Sequence, residues 1–207
     1  MDLHRIGIKC FFREGAAIPL PEFIPILHRW IQTAALDDLL IDVADYSHVH
    51  AGPGILLVAH EGNYCIDETG GRRGLVYYSK RSVDGDLATR LQTLCKKLLK
   101  ACALLEQEPE LQGRVQFLGN ELQIFANDRL TAPNSQETLA ALAPALGKLL
   151  AALYLDNEYS LSRETDPQER FAVTAKSPTP VTVKALLQRL KARGVPDAEA
   201  ITAAKHL

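Results

Sequence analysis

Residues 5–12 alternate Ile6, Ile8, Cys10 and Phe12 with Arg5, Gly7 and Lys9, the period of two that turns one side of a strand to a core and the other to water. After Pro19 and Pro21 the period lengthens. Phe23, Ile26, Leu27, Trp30 and Ile31 then recur as one face of a helix over about residues 21–35, with Pro25 in the first turn, where its missing N–H is tolerated. LDDLLIDVADYSHV reads as a strand, AGPG at 51–54 as a turn, and GILLVAHEGNYCID as the returning strand of a hairpin. ETGGRR turns the chain once more into GLVYYSKR, so three consecutive antiparallel strands are expected.

From Asp86 onward, Leu87, Leu91, Leu94, Leu98, Cys102 and Leu105 trace one face of a long helix that ends near Pro109. RVQFLGNELQIFAND reads as two short strands about a Gly119–Asn120 turn. Asn134 and Glu137 stand at capping-box spacing before a third helix, whose middle is weakened by Pro144 and Gly147. NEYSLSRET and ERFAVTAKS form a further strand pair about TDPQ.

This order of elements predicts an α+β fold, one or two antiparallel sheets backed by helices, with a ferredoxin-like alternation in the first part. The body spans 1–176, divisible into halves 1–112 and 113–176, and a linker with a helical tail follows at 177–207. In that tail SPTPVT leads into two short helical patterns, the first opened by Thr182 and closed by Gly194 and Pro196. The sparse apolar face of Val183, Leu186, Leu187 and Leu190 fits either the body or a partner subunit, so a homodimer is one assembly that the sequence admits.

Composition narrows the function classes. Apolar residues make up 47% of the 207-residue chain and charged ones 23%, which supplies a real core. Lysine and arginine (23) nearly balance aspartate and glutamate (25), and the resulting charge of −2 gives no global attraction to nucleic acid or an anionic membrane. Cys10, Cys65, Cys95 and Cys102 form no CxxC pair and read as reduced, mostly buried thiols. The N-terminal residues lack the continuous apolar run of a secretory signal, and no uninterrupted apolar stretch approaches the ~20 residues of a membrane span. A soluble cytoplasmic protein is expected.

The candidate chemistry concentrates in the hairpin at 42–65, where His48, His50 and His60, three of the six histidines, stand beside Asp45, Glu61, Asn63 and Cys65. Imidazole and carboxylate ligands suit zinc, iron, manganese or nickel, so Asp45, His48, His50, His60 and Glu61 are the candidate ligands of a metal-assisted hydrolase or other enzyme. A hairpin register pairing Asp45 with His60 and Asp42 with Asn63 would also make a His–carboxylate acid–base pair, but Ser47 and Cys65 lie in no recognised nucleophile context. On regular strands these groups do not converge on one atom. The preferred expectation is therefore a noncatalytic module, without metal or cofactor, that binds a small ligand or protein partner over a polar sheet face carrying Asp45, His48, His60, Glu61 and Asn63.

Two weaker surfaces complete the reading. Arg72, Arg73, Lys80, Arg81, Lys96, Lys97 and Lys100 with Tyr77 and Tyr78 combine charge and aromatic rings as single-strand nucleic-acid binders do, but no RNP-like motif accompanies them, and nucleic acid is not expected. Asn127, Asp128, Arg129 and Asn134 are read as cap and turn chemistry, and Gly52–Gly54, Gly70–Gly71 and Gly119 match no phosphate-binding loop.

Overall fold

Among the described residues every strand enters one sheet. The computed structural model describes residue 3 and residues 5–13, 18–49, 52–155, 158–166 and 168–192. Among these, the strands are β1 (Ile6–Phe12), β2 (Leu40–Tyr46), β3 (Gly54–Ala59), β4 (Gly62–Asp67), β5 (Gly74–Ser79), β6 (Phe117–Ala126), β7 (Ser160–Arg163) and β8 (Ala172–Lys176). Their order across the sheet is β2-β3-β4-β5-β1-β6-β8-β7, with every pairing antiparallel. The helices are α1 (Phe23–Gln32), α2 (Leu87–Leu105), α3 (Gln136–Tyr154) and α4 (Val183–Ala192). The α+β class expected from the sequence is therefore present. Because β1 pairs with β5 on one side and β6 on the other, the sheet runs without a break across residue 112.

The apolar side of each strand faces the helices. Ile6, Ile8 and Cys10 of β1, Tyr64 and Ile66 of β4, Leu75 and Tyr77 of β5 and Leu122 and Ile124 of β6 join a single core with Phe23, Ile26, Leu27 and Trp30 of α1 and the buried face of α2. Asp86 caps α2 by accepting from the Thr89 amide at 2.8 Å, which satisfies a first-turn N–H that the helix itself cannot. The cap of α3 is Ser135, one residue beyond the expected Asn134, whose side chain instead donates to the Asp166 carbonyl and accepts from Arg163. Pro144 lies within α3, which is long and apolar enough to cross a membrane by length and composition, yet Leu142, Leu146, Leu149, Leu150 and Leu153 are buried in this body.

The tail helix α4 docks. Thr182 caps it as expected, accepting from the Ala185 amide at 3.2 Å, and Val183, Leu186 and Leu190 are buried against α2, α3 and β6. Its apolar face thus belongs to the chain's own core. The second tail helix, with Gly194 and Pro196, lies outside the described residues.

Two turns differ from expectation. GILLVAHEGNYCID is not one strand but two, β3 and β4, reversed at His60–Glu61, while RVQFLGNELQIFAND is one strand, β6, straight through Gly119–Asn120. Gly119 serves tertiary packing: a β-carbon there would lie 2.2 Å from the Val181 carbonyl oxygen, so the linker into α4 crosses β6 only over a glycine. Gly119→Ala is therefore expected to loosen that crossing, lowering stability by about 1–3 kcal/mol in urea titration and speeding amide exchange in residues 181–192; unchanged exchange there would show that the crossing does not hold α4.

Candidate functional site

The register of the first hairpin disperses the expected cluster. Asp45 pairs with Ile55 and Asp42 with Val58, not with His60 and Asn63. Pairing begins at Tyr46 with Gly54, so the glycine expected in the turn opens β3 instead, and that sets the register; the bulge at Ile41 comes only beyond Asp42. His48 lies in the β2–β3 turn and His60 with Glu61 in the β3–β4 turn, at opposite ends of β3, a strand about 17 Å long at ~3.4 Å per residue. Asp45 closes its own turn, accepting from the Ser47 amide at 2.8 Å, and hydrogen bonding by Ser47 holds its carboxyl below the usual value. His60 Nε2 stands 3.8 Å from Glu61 Oε1, both exposed to solvent. His50 lies outside the described residues. Among those residues no three histidine, cysteine, aspartate or glutamate side chains come together as metal ligands would.

Asn63 is the one residue of the expected set found on the sheet face away from the helices. Among the described residues, that face carries no covering layer. Leu56, Cys65, Val76, Phe125 and Ala172 form a second apolar cluster, flanked by Ala44, Val58 and Tyr78, and all of these are strand residues. Asn63 Nδ2 donates to the Tyr78 hydroxyl at 2.8 Å, and Asn63 Oδ1 is enclosed with no hydrogen-bond partner. Cys65 is buried, and burial pushes its thiol well above the ordinary value, so it is no nucleophile at neutral pH.

At the centre of the open face Lys9 forms an ion pair with Asp67, their side chains only 3% and 8% exposed. Lys9 also donates to the Thr69 carbonyl at 3.2 Å, and the Thr69 hydroxyl donates to Asp67 at 2.6 Å. Burial lowers the lysine's proton affinity and the aspartate opposes that drop. Two arginines stand over aromatic rings beside this pair, Arg72 Cζ 3.9 Å from the Phe11 ring centre and Arg170 Cζ 3.7 Å from that of Phe125. The Phe125 ring in turn covers Gly7, where a β-carbon would fall 2.1 Å from the ring. Arg72 is neutralised by Glu121 at 2.5 Å, and this bond holds the Glu121 carboxyl below its usual value, with Lys176 adding to the effect. Among the described residues no carboxylate comes within ion-pair distance of Arg170, although Asp67 is near enough to favour its charge; its one hydrogen bond there goes to Asn127 Oδ1 at 2.9 Å. It lines a cleft of about 290 Å³ with Asp67, Tyr78 and Phe125.

The other candidate surfaces are largely satisfied from within. Tyr77 and Tyr78 point to opposite faces, Tyr77 into the core against Tyr64 at a centroid distance of 4.6 Å. Arg73 pairs with Glu68, Lys97 with Asp38 and Lys100 with Asp37. Asp128 accepts from the Leu130 and Thr131 amides, the turn chemistry expected of it. A larger cleft of about 430 Å³ lies between Arg13, Glu106, Phe117 and Thr182, but the Glu106 carboxylate there already accepts from the Phe117 amide at 2.9 Å.

Lys9, Asp67, Phe125 and Arg170 were not among the sequence candidates. In the sequence Lys9 falls on the polar side of the alternation in residues 5–12, so no local signal separates it from a solvated lysine. Compared with known proteins, the chain matches no family model, no curated protein and no solved structure at a significant level.

Lys9→Met should destabilise the chain by about 3–5 kcal/mol, because it strands a buried carboxylate, whereas Lys9→Met with Asp67→Leu should recover most of that loss. Denaturant titration of the two variants checks this; equal losses would mean that the pair is not held dry. The depressed Glu121 carboxyl contributes stability that is complete above the ordinary glutamate value of 4.5 and is lost as pH falls through the lower folded value. Glu121→Gln should thus be less stable than the parent chain at pH 7, with the deficit shrinking in acid below about pH 4.

Proposed function

We propose that this protein is a noncatalytic binding module that receives a small ligand on the open face of its sheet. The observation that carries the reading is the apolar cluster around Cys65, Val76 and Phe125, ringed by charged and hydroxyl groups and overlaid by no helix among the described residues. Antiparallel sheets leave a face to water when that face is polar; an apolar patch with a few directed polar groups is what ligand pockets are built from. Against a metal-assisted enzyme centred on Asp45, His48, His50, His60 and Glu61 stands the separation of His48 from His60 along β3. A cytoplasmic setting belongs to the same proposal, supported by four buried cysteines present as free thiols.

Protein partners are the second reading, and a different surface favours it. The edge strand β2 exposes Ile41 and Tyr46, with Leu39 and Val49 beside them, and its outer backbone groups are open to strand addition. A thermal-shift screen of small metabolites, with each hit mapped by hydrogen exchange, tests the choice. Ligands of the proposed kind should protect β1, β4, β5 and β6. Protection confined to the helices or to the turns at His48 and His60, or stoichiometric metal that vanishes in His48→Ala or His60→Ala, would overturn the proposal.

A further inference from the structure

Taking the open face as the binding surface, we infer that its cleft between β4, β5 and β6 receives a monovalent carboxylate, gripped by the Arg170 guanidinium and the Tyr78 hydroxyl. Charge sets the valence. Arg72 is matched by Glu121, while Lys9, Asp67 and Arg170 share one carboxylate between two cations: Asp67 is bonded to Lys9, and Arg170, which lines the cleft, feels Asp67 only at longer range and makes no ion pair among the described residues. One bound negative charge balances it. A dianion would meet the Asp67 carboxylate, which lines the same space.

Geometry sets the group. A guanidinium is a planar fork of five donors, matched to the two oxygens of a carboxylate, and Arg170 uses one donor, toward Asn127. Its Cζ is held over the Phe125 ring, 3.7 Å from the ring centre, so little side-chain freedom is lost on binding. The ring itself is seated over Gly7. Tyr78 adds a second donor: its oxygen accepts from Asn63 Nδ2, which leaves the phenolic proton to point at an anion. Burial lowers the proton affinity of Arg170, and the attraction of the nearby Asp67 carboxylate opposes that fall without cancelling it. Val76 and Pro53 supply apolar walls, so the carboxylate should carry a compact apolar body.

Sodium benzoate is the probe, titrated into the full isotope-labelled chain and followed by NMR at backbone amides and the Arg170 side chain. Saturable shifts clustered at Tyr78, Asn127 and Arg170 are expected, with isosteric benzamide leaving those signals in place. Arg170→Gln should weaken benzoate binding roughly ten-fold or more, and Arg170→Lys should fall between it and the parent chain. Equal binding of benzamide, shifts that never saturate, unchanged affinity in Arg170→Gln with a native spectrum, or tighter binding of inorganic phosphate would each overturn the assignment. If benzoate fails while ligands from the screen still protect β1, β5 and β6, the carboxylate assignment falls alone; if neither binds there, the open-face reading falls with it.

Discussion

A sheet has two faces, and this one has a single described layer of helices. Everything distinctive about the molecule follows from that inequality. On the covered face, strand and helix residues bury one another in the ordinary way, through Ile8, Tyr64, Ile124 and the apolar stripe of α2. On the other face the strands must shield themselves. The solution is to lay long side chains sideways: Lys9 toward Asp67, Arg72 across Phe11, Arg170 across Phe125, and Phe125 across Gly7. Aliphatic stems and guanidinium planes then cover apolar rings while keeping their charge near water or a partner.

Buried charge also ties the covered face together. Asp38, whose side chain is fully enclosed, accepts from the Tyr64 hydroxyl at 2.5 Å and pairs with Lys97 of α2. Burial first and the Asp38 charge second push the Tyr64 phenol far above its ordinary value, so it stays a neutral donor. Glu108 plays the same part at the end of α1, accepting from the Trp30 indole at 2.5 Å and pairing with Arg29. Such pairs contribute little net stability compared with apolar packing, but removing one partner is severe, so they fix which loop meets which helix.

Much of this architecture was legible in the sequence, and the exceptions share a cause. The period-two pattern of β1, the helical period of α1 with Pro25 in its first turn, and the Thr182 cap are local facts, and local facts survive folding. Gly119–Asn120 looked like a turn because glycine and asparagine favour turns; here glycine is needed by a linker passing overhead, which no window of sequence displays. His60–Glu61 did not look like a turn because neither residue is a strong turn former, although Gly62 follows and has no room for a β-carbon beside Tyr77. The β2–β3 reversal differed too, with Gly54 paired to Tyr46 instead of lying in the turn, and a change of register reassigns partners along a whole strand. That is why Asp45 was matched with His60 and why only Asn63 of the expected residues sits on the open face.

The centre of that face was hidden for a related reason. In a single strand, Lys9 beside Gly7 reads as the wet side of an amphipathic pattern. Only when β5 and β6 flank β1 do Val76 and Gln123 stand beside Lys9, with Gly74 and Phe125 diagonal neighbours, and the lysine becomes a dry centre that must find a carboxylate. Asp67 reaches it from β4, two strands away. A central charge pair of that kind gives the face a fixed electrostatic pattern, neutral at Lys9–Asp67 and positive at Arg170, on a rigid antiparallel frame. Desolvation of Arg170 works against folding, and the Asp67 carboxylate across the cleft offsets part of that cost.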